Sequence, residues 1–360
     1  MARSFLGRQA FKGRGALSNP AGRFDALLRE QTDDGWYQDE TPDSPAETVL
    51  PDGARSIITT NDSPDVGFDA SINPYRGCSH ACIYCFARPS HAFLGLSPGL
   101  DFETKLFYKA DAVRLLEAEL SRPGYVCKPI ALGIHTDGYQ PLEKRLGVTR
   151  GVLEVLARCR HPVTIITKSA LIVRDTDLLA DLARDRLVSV MLSITSLSDD
   201  IKRTLEPRTA SPQARLRVVR HLAAAGIPVG VMVAPVIPAI TDHEMEGILA
   251  SAREAGAGSA SYVLLRLPHE LKVLFREWLA QHYPDRAKHV MSLINQASGG
   301  KDYDSRFGIR MRGTGPYAEL LRTRFELAAR KLGYASADGR QGLDTSLFRR
   351  PGAASQMTLF

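Results

Sequence analysis

Five apolar, β-rich runs, at 129–134, 163–167, 188–194, 228–233 and 261–265, recur with a helical pattern between each pair. Strands joined through helices pair in parallel, because the crossover must return the chain to the same end of the sheet. The rhythm therefore predicts an α/β fold with a parallel sheet, and a sixth strand-like run, 71–75, precedes it. Thr149 and Asp175 stand where helices should begin, and Gly226 where one should stop. Pro316 fits the first turn of a helix reaching Leu332, with Gly333 as its stop. Val152, Val155, Leu156 and Cys159 fall on one helical face, which makes Cys159 a core side chain. Cys127 sits just ahead of a strand.

After the 71–75 run comes Cys78-Ser79-His80-Ala81-Cys82-Ile83-Tyr84-Cys85, which holds three of the five cysteines in the chain. A structural zinc site closes with four ligands, whereas three thiolates can hold three irons of a [4Fe–4S] cube and leave the fourth open to a ligand. The competing reading is a zinc knuckle with His80 as fourth ligand, awkward because His80 lies between the first two cysteines. Few cysteines, most of them in one ligand motif, suit a reducing compartment rather than a disulfide scaffold. There is no run of eighteen apolar residues and no hydrophobic signal core, so a cytoplasmic protein is expected.

The C-x3-C-x2-C spacing with Tyr84 before the third cysteine resembles the signature of the radical S-adenosylmethionine (SAM) enzymes. That resemblance implies a partial (β/α)6 TIM-like barrel with Cys78, Cys82 and Cys85 as cluster ligands. It also implies SAM chelated at the open iron and an external one-electron donor. By the same resemblance Tyr84 packs on the adenine, Thr136 and Asp137 meet the SAM amino group, and Arg208 pairs with the methionyl carboxylate. Ser193 and Arg266 are further candidates at strand ends, and residues 234–238 resemble the apolar wall under adenine and ribose. The segments 73–78, 84–88 and 136–143 are similar to the spore photoproduct lyase-related, DNA repair photolyase-like group, across roughly 50–335. The lyase itself opens a thymine–thymine adduct and returns hydrogen through a cysteine. No cysteine lies beyond Cys159 here, which leaves Tyr262, Tyr303 or Tyr317 as candidate relays and the catalytic residue unassigned.

Charge is uneven. Residues 284–360 carry thirteen Lys or Arg against seven Asp or Glu, and residues 1–24 five basic and no acidic residues. Basic flanks suit a polyanion, and equally suit simple solubility. Within the C-terminal flank, Arg306, Arg310 and Arg312 fit phosphate contacts or a cover over the barrel mouth. The expected organisation is a partly ordered arm over 1–64, with a short helical pattern at 25–29. The barrel over 65–283, an extension over 284–349 covering or flanking the site, and a flexible tail over 350–360 follow. In that tail Gln356, Met357, Leu359 and Phe360 resemble the peptide by which bacterial proteins dock in the sliding clamp; the alternative is a tail folded back on its own domain. The reading that unites these features is a radical SAM enzyme acting on nucleic acid, with DNA favoured, in repair or base modification. Alternatives are a radical SAM enzyme modifying tRNA or a peptide, and a noncatalytic iron–sulfur or zinc module binding nucleic acid.

Overall fold

In the computed structural model, which describes residues 10–25, 45–335 and 342–352, ten strands form two sheets. In chain order they are β1 (Thr48–Pro51), β2 (Ile58–Thr60), β3 (Ala70–Ile72), β4 (Tyr75–Arg76), β5 (Lys105–Tyr108), β6 (Ile130–Leu132), β7 (Val163–Thr167), β8 (Val188–Ser193), β9 (Val229–Val236) and β10 (Ser259–Leu264). The larger sheet has the order β10-β9-β8-β7-β6-β3-β2. Its six strands from β3 to β10 pair in parallel, as the βαβ alternation predicts, and β2 adds an antiparallel edge.

The 71–75 run, expected as one strand, splits in two. Pro74 has no N–H to give a ladder, and the Asn73 side chain accepts the His135 N–H at 2.8 Å, tying the end of β3 to the loop after β6. The chain then leaves the main sheet, and β4 pairs with β5 in a small sheet ordered β1-β5-β4.

Burial alternates along the main strands. Val163, Ile165, Val188, Val190, Leu192, Tyr262 and Leu264 are buried in the same apolar core as residues of the surrounding helices, among them Val148–Arg158, Thr176–Arg184, Pro212–Ala224, Met245–Glu254 and Gly315–Lys331. Thr164, Ile166, Ser189, Met191, Ser261 and Val263, on the other face, stay partly exposed.

The helix starts depart from expectation in an informative way. Thr149 does not cap its helix; its hydroxyl donates to the Gly138 carbonyl at 2.5 Å. The cap is the Glu143 carboxylate, which accepts the N–H groups of Thr149 and Arg150 at 2.9 and 3.2 Å, where the helix dipole favours a negative charge. Asp175 stands at the start of Thr176–Arg184 but makes no capping bond, its carboxylate being taken by Arg150 and Arg174 at 2.9 and 2.8 Å. Gly226 ends its helix with φ +73°, and Cys159 is buried on the predicted face.

The described segments nearest the two ends, 10–25 and 342–352, are built into the fold. Residues 10–25 pack beside the cysteine loop, and β1 and β2 join the two sheets. The 25–29 pattern beyond Asp25 lies outside the described residues. Phe348 packs on Tyr125 and His161, and the Arg349 N–H donates to the Cys159 carbonyl at 2.8 Å. Those residues precede β6 and β7, so this segment sits at the pole opposite the cysteine loop. Gln356, Met357, Leu359 and Phe360 lie outside the described residues. No described helix is long and apolar enough to cross a membrane.

Candidate active site

Three successive backbone turns wrap the cysteines: Ala81 N–H to Cys78 carbonyl, Cys85 to Cys82, and Arg88 to Cys85, at 3.3, 3.3 and 3.1 Å. Gly77 and Ala81 carry the positive φ values, +74° and +59°, that such winding needs. Burial raises all three thiols above their usual range, Cys82 to about 12, with Glu206 adding to the effect. At Cys78, Asp137, Cys82 and Cys85 follow burial as causes, so the three sulfurs share one neighbourhood. A cationic iron centre that binds thiolates reverses this cost, and an all-sulfur donor set suits iron–sulfur. His80 turns elsewhere: its Nδ1 faces the Asp137 carboxylate at 3.4 Å. The donors present therefore fit a three-thiolate cluster better than a zinc knuckle.

The loop is held from behind by Arg88 and Glu103, a pair with no solvent exposure. Arg88 Nε donates to the Cys82 carbonyl at 2.9 Å, and its Nη1 reaches the Gly99 carbonyl at 2.9 Å. Glu103 accepts the Gly15 and Ala16 N–H groups at 3.1 and 2.8 Å. Gly15 lies so close to the loop that a Cβ there would sit 2.0 Å from the Ala81 oxygen.

In front of the loop stands a layer of polar side chains from the C-terminal ends of the strands, where such folds collect function. Asp137 accepts the Thr167 hydroxyl at 2.8 Å and the N–H groups of Lys168 and Tyr139 at 2.8 and 2.9 Å. Burial resists its ionisation, yet His80 and these donors hold it below the usual carboxylate range. Lys168 Nζ donates to Ser193 Oγ at 2.8 Å and lies 5.7 Å from the Tyr84 ring centroid. Ser193 in turn donates to the Ala234 carbonyl at 3.0 Å.

Tyr84 points into a second buried network. Its hydroxyl donates to Glu206, which also accepts Thr195 Oγ1 at 2.7 Å and pairs with Arg215. Burial works against the Glu206 charge, but Arg215 and then Lys168 prevail and hold it at about 2. Helix Leu271–His282 braces this side: Trp278, fully buried, donates to the Thr204 carbonyl at 3.0 Å, and Leu205 accepts the Ile83 N–H at 3.1 Å.

The residues singled out from sequence divide as follows. Tyr84, Asp137 and Ser193 gather beside the cysteine loop. Thr136 is adjacent, but its hydroxyl donates to the Tyr75 carbonyl at 2.7 Å. Arg208 is drawn outward, its side chain paired with Glu47 while its N–H donates to the His80 carbonyl at 3.3 Å. The cations in the polar layer in front of the loop are Lys168 and Arg215, with Arg88 behind it and Arg266 over Phe86. Lys168 directly follows the predicted strand 163–167, a position that could have flagged it; Arg215 shares helix Pro212–Ala224 with Arg217 and Arg220, and nothing in the sequence sets it apart from them. Arg266 stacks its guanidinium 4.4 Å from the centroid of Phe86, the residue after Cys85. Of the tyrosines considered as relays, Tyr262 faces Phe325 in the helical core and Tyr317 donates to Asp242 at 2.7 Å. Tyr303 packs at the edge of the core around Trp278.

Among known proteins, the chain is similar to an uncharacterised protein of Mycobacterium tuberculosis, 39% identical over 231 residues, spanning 64% of this chain and 68% of that one. An uncharacterised protein of Methanocaldococcus jannaschii is 26% identical over 220 residues, covering 59% and 76%. In fold the chain is similar to spore photoproduct lyase in complex with dinucleoside spore photoproduct, with TM-score 0.57 and 16% identity over 79% of this chain and 80% of that one. The family model of the radical SAM superfamily matches residues 72–252, from the end of β3 through the helix before β10. With half its length so matched and its cysteine loop beyond the parallel sheet, this chain belongs to the radical SAM superfamily, whose enzymes use a [4Fe–4S] cluster and SAM.

Proposed function

We propose that this chain is a cytoplasmic radical SAM enzyme acting on a nucleic acid, DNA by preference, in repair or base modification. The observation that carries the nucleic-acid reading is a pair of arginine–phenylalanine stacks beside the site. Phe86 is 39% exposed under Arg266, and Phe307 is 58% exposed with Arg310 4.7 Å from its centroid. Exposed rings beside guanidinium groups suit unstacked bases and their phosphates. The likeness of fold to a lyase that holds a dinucleoside photoproduct supports the same class.

In this reading Cys78, Cys82 and Cys85 hold the cluster. Lys168, Ser193, Asp137 and Thr136 line the SAM side, Lys168 taking the carboxylate-pairing role first expected of Arg208. Glu206 and Arg215 fix Tyr84 as a wall of the cofactor pocket, and Arg266 with Phe86 faces the substrate. When bound, the cluster and SAM supply a 5′-deoxyadenosyl radical for hydrogen abstraction. The chain's part is to exclude water and orient the target carbon.

The test is anaerobic reconstitution, reduction with SAM, and quantitation of 5′-deoxyadenosine with and without single-stranded DNA, duplex DNA and tRNA. Cysteine-dependent product stimulated by DNA is expected. Stimulation by tRNA alone would move the substrate, and stoichiometric zinc without labile sulfide would overturn the reading.

We also read residues 356–360 as a docking peptide for a sliding clamp. The supporting observation is that Phe348 to Arg350 are pinned at the pole away from the cysteine loop, where Arg350 donates to the Pro123 carbonyl at 2.5 Å, so a partner bound beyond Gly352 leaves the mouth free. A clamp titration with the full chain tests it; loss of binding on replacing Leu359 and Phe360 by Ala is expected, and no binding by the unaltered chain refutes it.

A further inference from the structure

The seven-stranded sheet does not close on itself: β2 and β10 are its edge strands. Across that gap the chain makes a contact of an unusual kind. The segment after helix Ala287–Ala297 runs along β10, with the Leu264 N–H donating to the Met311 carbonyl at 2.9 Å. From the other edge, the loop between β2 and β3 extends Asp65 to this segment. One carboxylate oxygen accepts the Gly308 N–H at 2.6 Å, the other accepts Arg310 Nε, and Arg310 Nη2 donates to Ser63 Oγ. Arg266 lies over the Phe86 ring beside the cysteine loop.

Two features set this contact apart from an ordinary surface ion pair. The donors to Asp65 are the Nε of a guanidinium and a backbone N–H at a left-handed glycine (φ +76°). Such a set matches a phosphate oxygen pair as well as a carboxylate. Beside it the Phe307 ring lies under the Arg310 guanidinium, 4.7 Å from its centroid, and open to solvent, in reach of a base attached to such a phosphate.

We infer that Gly308 and Arg310 form a phosphodiester-binding cradle at the open seam of the barrel, which Asp65 fills when substrate is absent. The inference rests on the nucleic-acid reading above. Substrate phosphate and Asp65 compete for the same donors, so binding of the strand frees the β2–β3 loop from the opposite edge and opens the seam toward Phe86 and the cysteine loop.

The competition gives a sign that a purely structural ion pair would not. Asp65→Asn keeps the side-chain shape but removes the charge that rivals phosphate. It should tighten binding of a fluorescent single-stranded oligonucleotide to the reconstituted enzyme on the order of tenfold, the scale of one charge-assisted hydrogen bond. Arg310→Ala should weaken binding and lower the slope of log K against log salt by about one. In the double variant the gain from Asp65→Asn should vanish. Asp62→Asn, which removes the same charge three positions away, should leave affinity within about twofold, the level of a screened surface charge.

Unchanged or weaker binding by Asp65→Asn, with cluster absorbance and melting intact, overturns the inference while the nucleic-acid reading stands. Equal tightening by Asp62→Asn overturns it too, as a net-charge effect. An enzyme that binds no oligonucleotide in any of these forms ends both.

Discussion

Arg215→Met removes the guanidinium paired with Glu206 where both side chains are almost wholly buried. It also strips donors from the Ser193 carbonyl, the Ala210 carbonyl and Thr209 Oγ1, at 2.8, 3.0 and 2.6 Å. With Arg215 present, the Glu206 carboxyl is held at about 2 against a usual 4.5; without it, burial is opposed less and the carboxyl rises. Breaking a buried pair from one side costs about 3–5 kcal/mol, a large share of the 5–15 kcal/mol typical of a domain. The melting temperature should fall on the order of 10 °C. Glu206→Gln with Arg215→Met, which removes both charges, should be less destabilised than Arg215→Met alone. The pH branch gives an independent reading. In the unaltered protein the depressed carboxyl contributes stability above pH 4.5, and that contribution is lost as pH falls from 4.5 toward 2. In Arg215→Met the carboxyl is depressed less, with Lys168 and Thr195 still holding it, so less stability should be lost as pH falls from 4.5 toward 2. Chemical denaturation across pH 3–7 measures both. An Arg215→Met protein within 1 kcal/mol of the parent, with the same acid branch, would refute the claim that this pair anchors Tyr84 and the layer around it.

Gly15→Ala places a Cβ 2.0 Å from the Ala81 oxygen, so iron incorporation should drop severalfold; Gly67→Ala, where a Cβ meets nothing within 4 Å, should stay within about 0.5 kcal/mol of the parent. Trp278→Ala should cost about 3–5 kcal/mol in denaturant unfolding, since the indole is fully buried under the loop and donates to Thr204; a loss below 1 kcal/mol would mean the helix does not brace the site. Cys82→Ala should reduce 5′-deoxyadenosine formation to background, and a variant with full SAM cleavage would remove the thiol from the cluster ligands.

The parallel strands were readable because each is a run of β-branched and aliphatic residues bounded by helical periodicity, and that signal is local. Where long-range contacts decide, the reading failed. Asn73-Pro74 looked like the end of one strand, but the redirection of Tyr75 and Arg76 to β5 depends on a partner thirty residues on. Thr149 has the right chemistry for a cap, yet Glu143 reaches the same N–H groups with a full charge, and the threonine hydroxyl serves Gly138 instead. The three cysteines were legible from spacing alone. Their supports were not: Arg88 and Glu103 are fifteen residues apart, and Gly15 joins them from seventy residues upstream. Arg208 and Arg215 are indistinguishable by composition, and only the course of the chain after β8 decides which one turns inward.

Those supports bear on how the loop can hold its shape. Ala81, a residue with a Cβ, sits at φ +59°, a conformation that costs about 1–2 kcal/mol. The surroundings fix it from three directions: Gly15 under the Ala81 carbonyl, Arg88 on the Cys82 carbonyl, and Leu205 on the Ile83 N–H. Each contact comes from a different part of the chain, so losing one leaves the other two but weakens the definition of all three thiols. A loop fixed this way presents its sulfurs through the protein's own hydrogen bonds. Iron then has less ordering cost to overcome than in small metal-folded domains, where metal binding and folding are one event. Within the arm expected to be partly ordered, residues 15 and 16 are therefore part of the cysteine site: Gly15 and Ala16 satisfy Glu103, Glu103 balances Arg88, and Arg88 holds the backbone between the second and third cysteines.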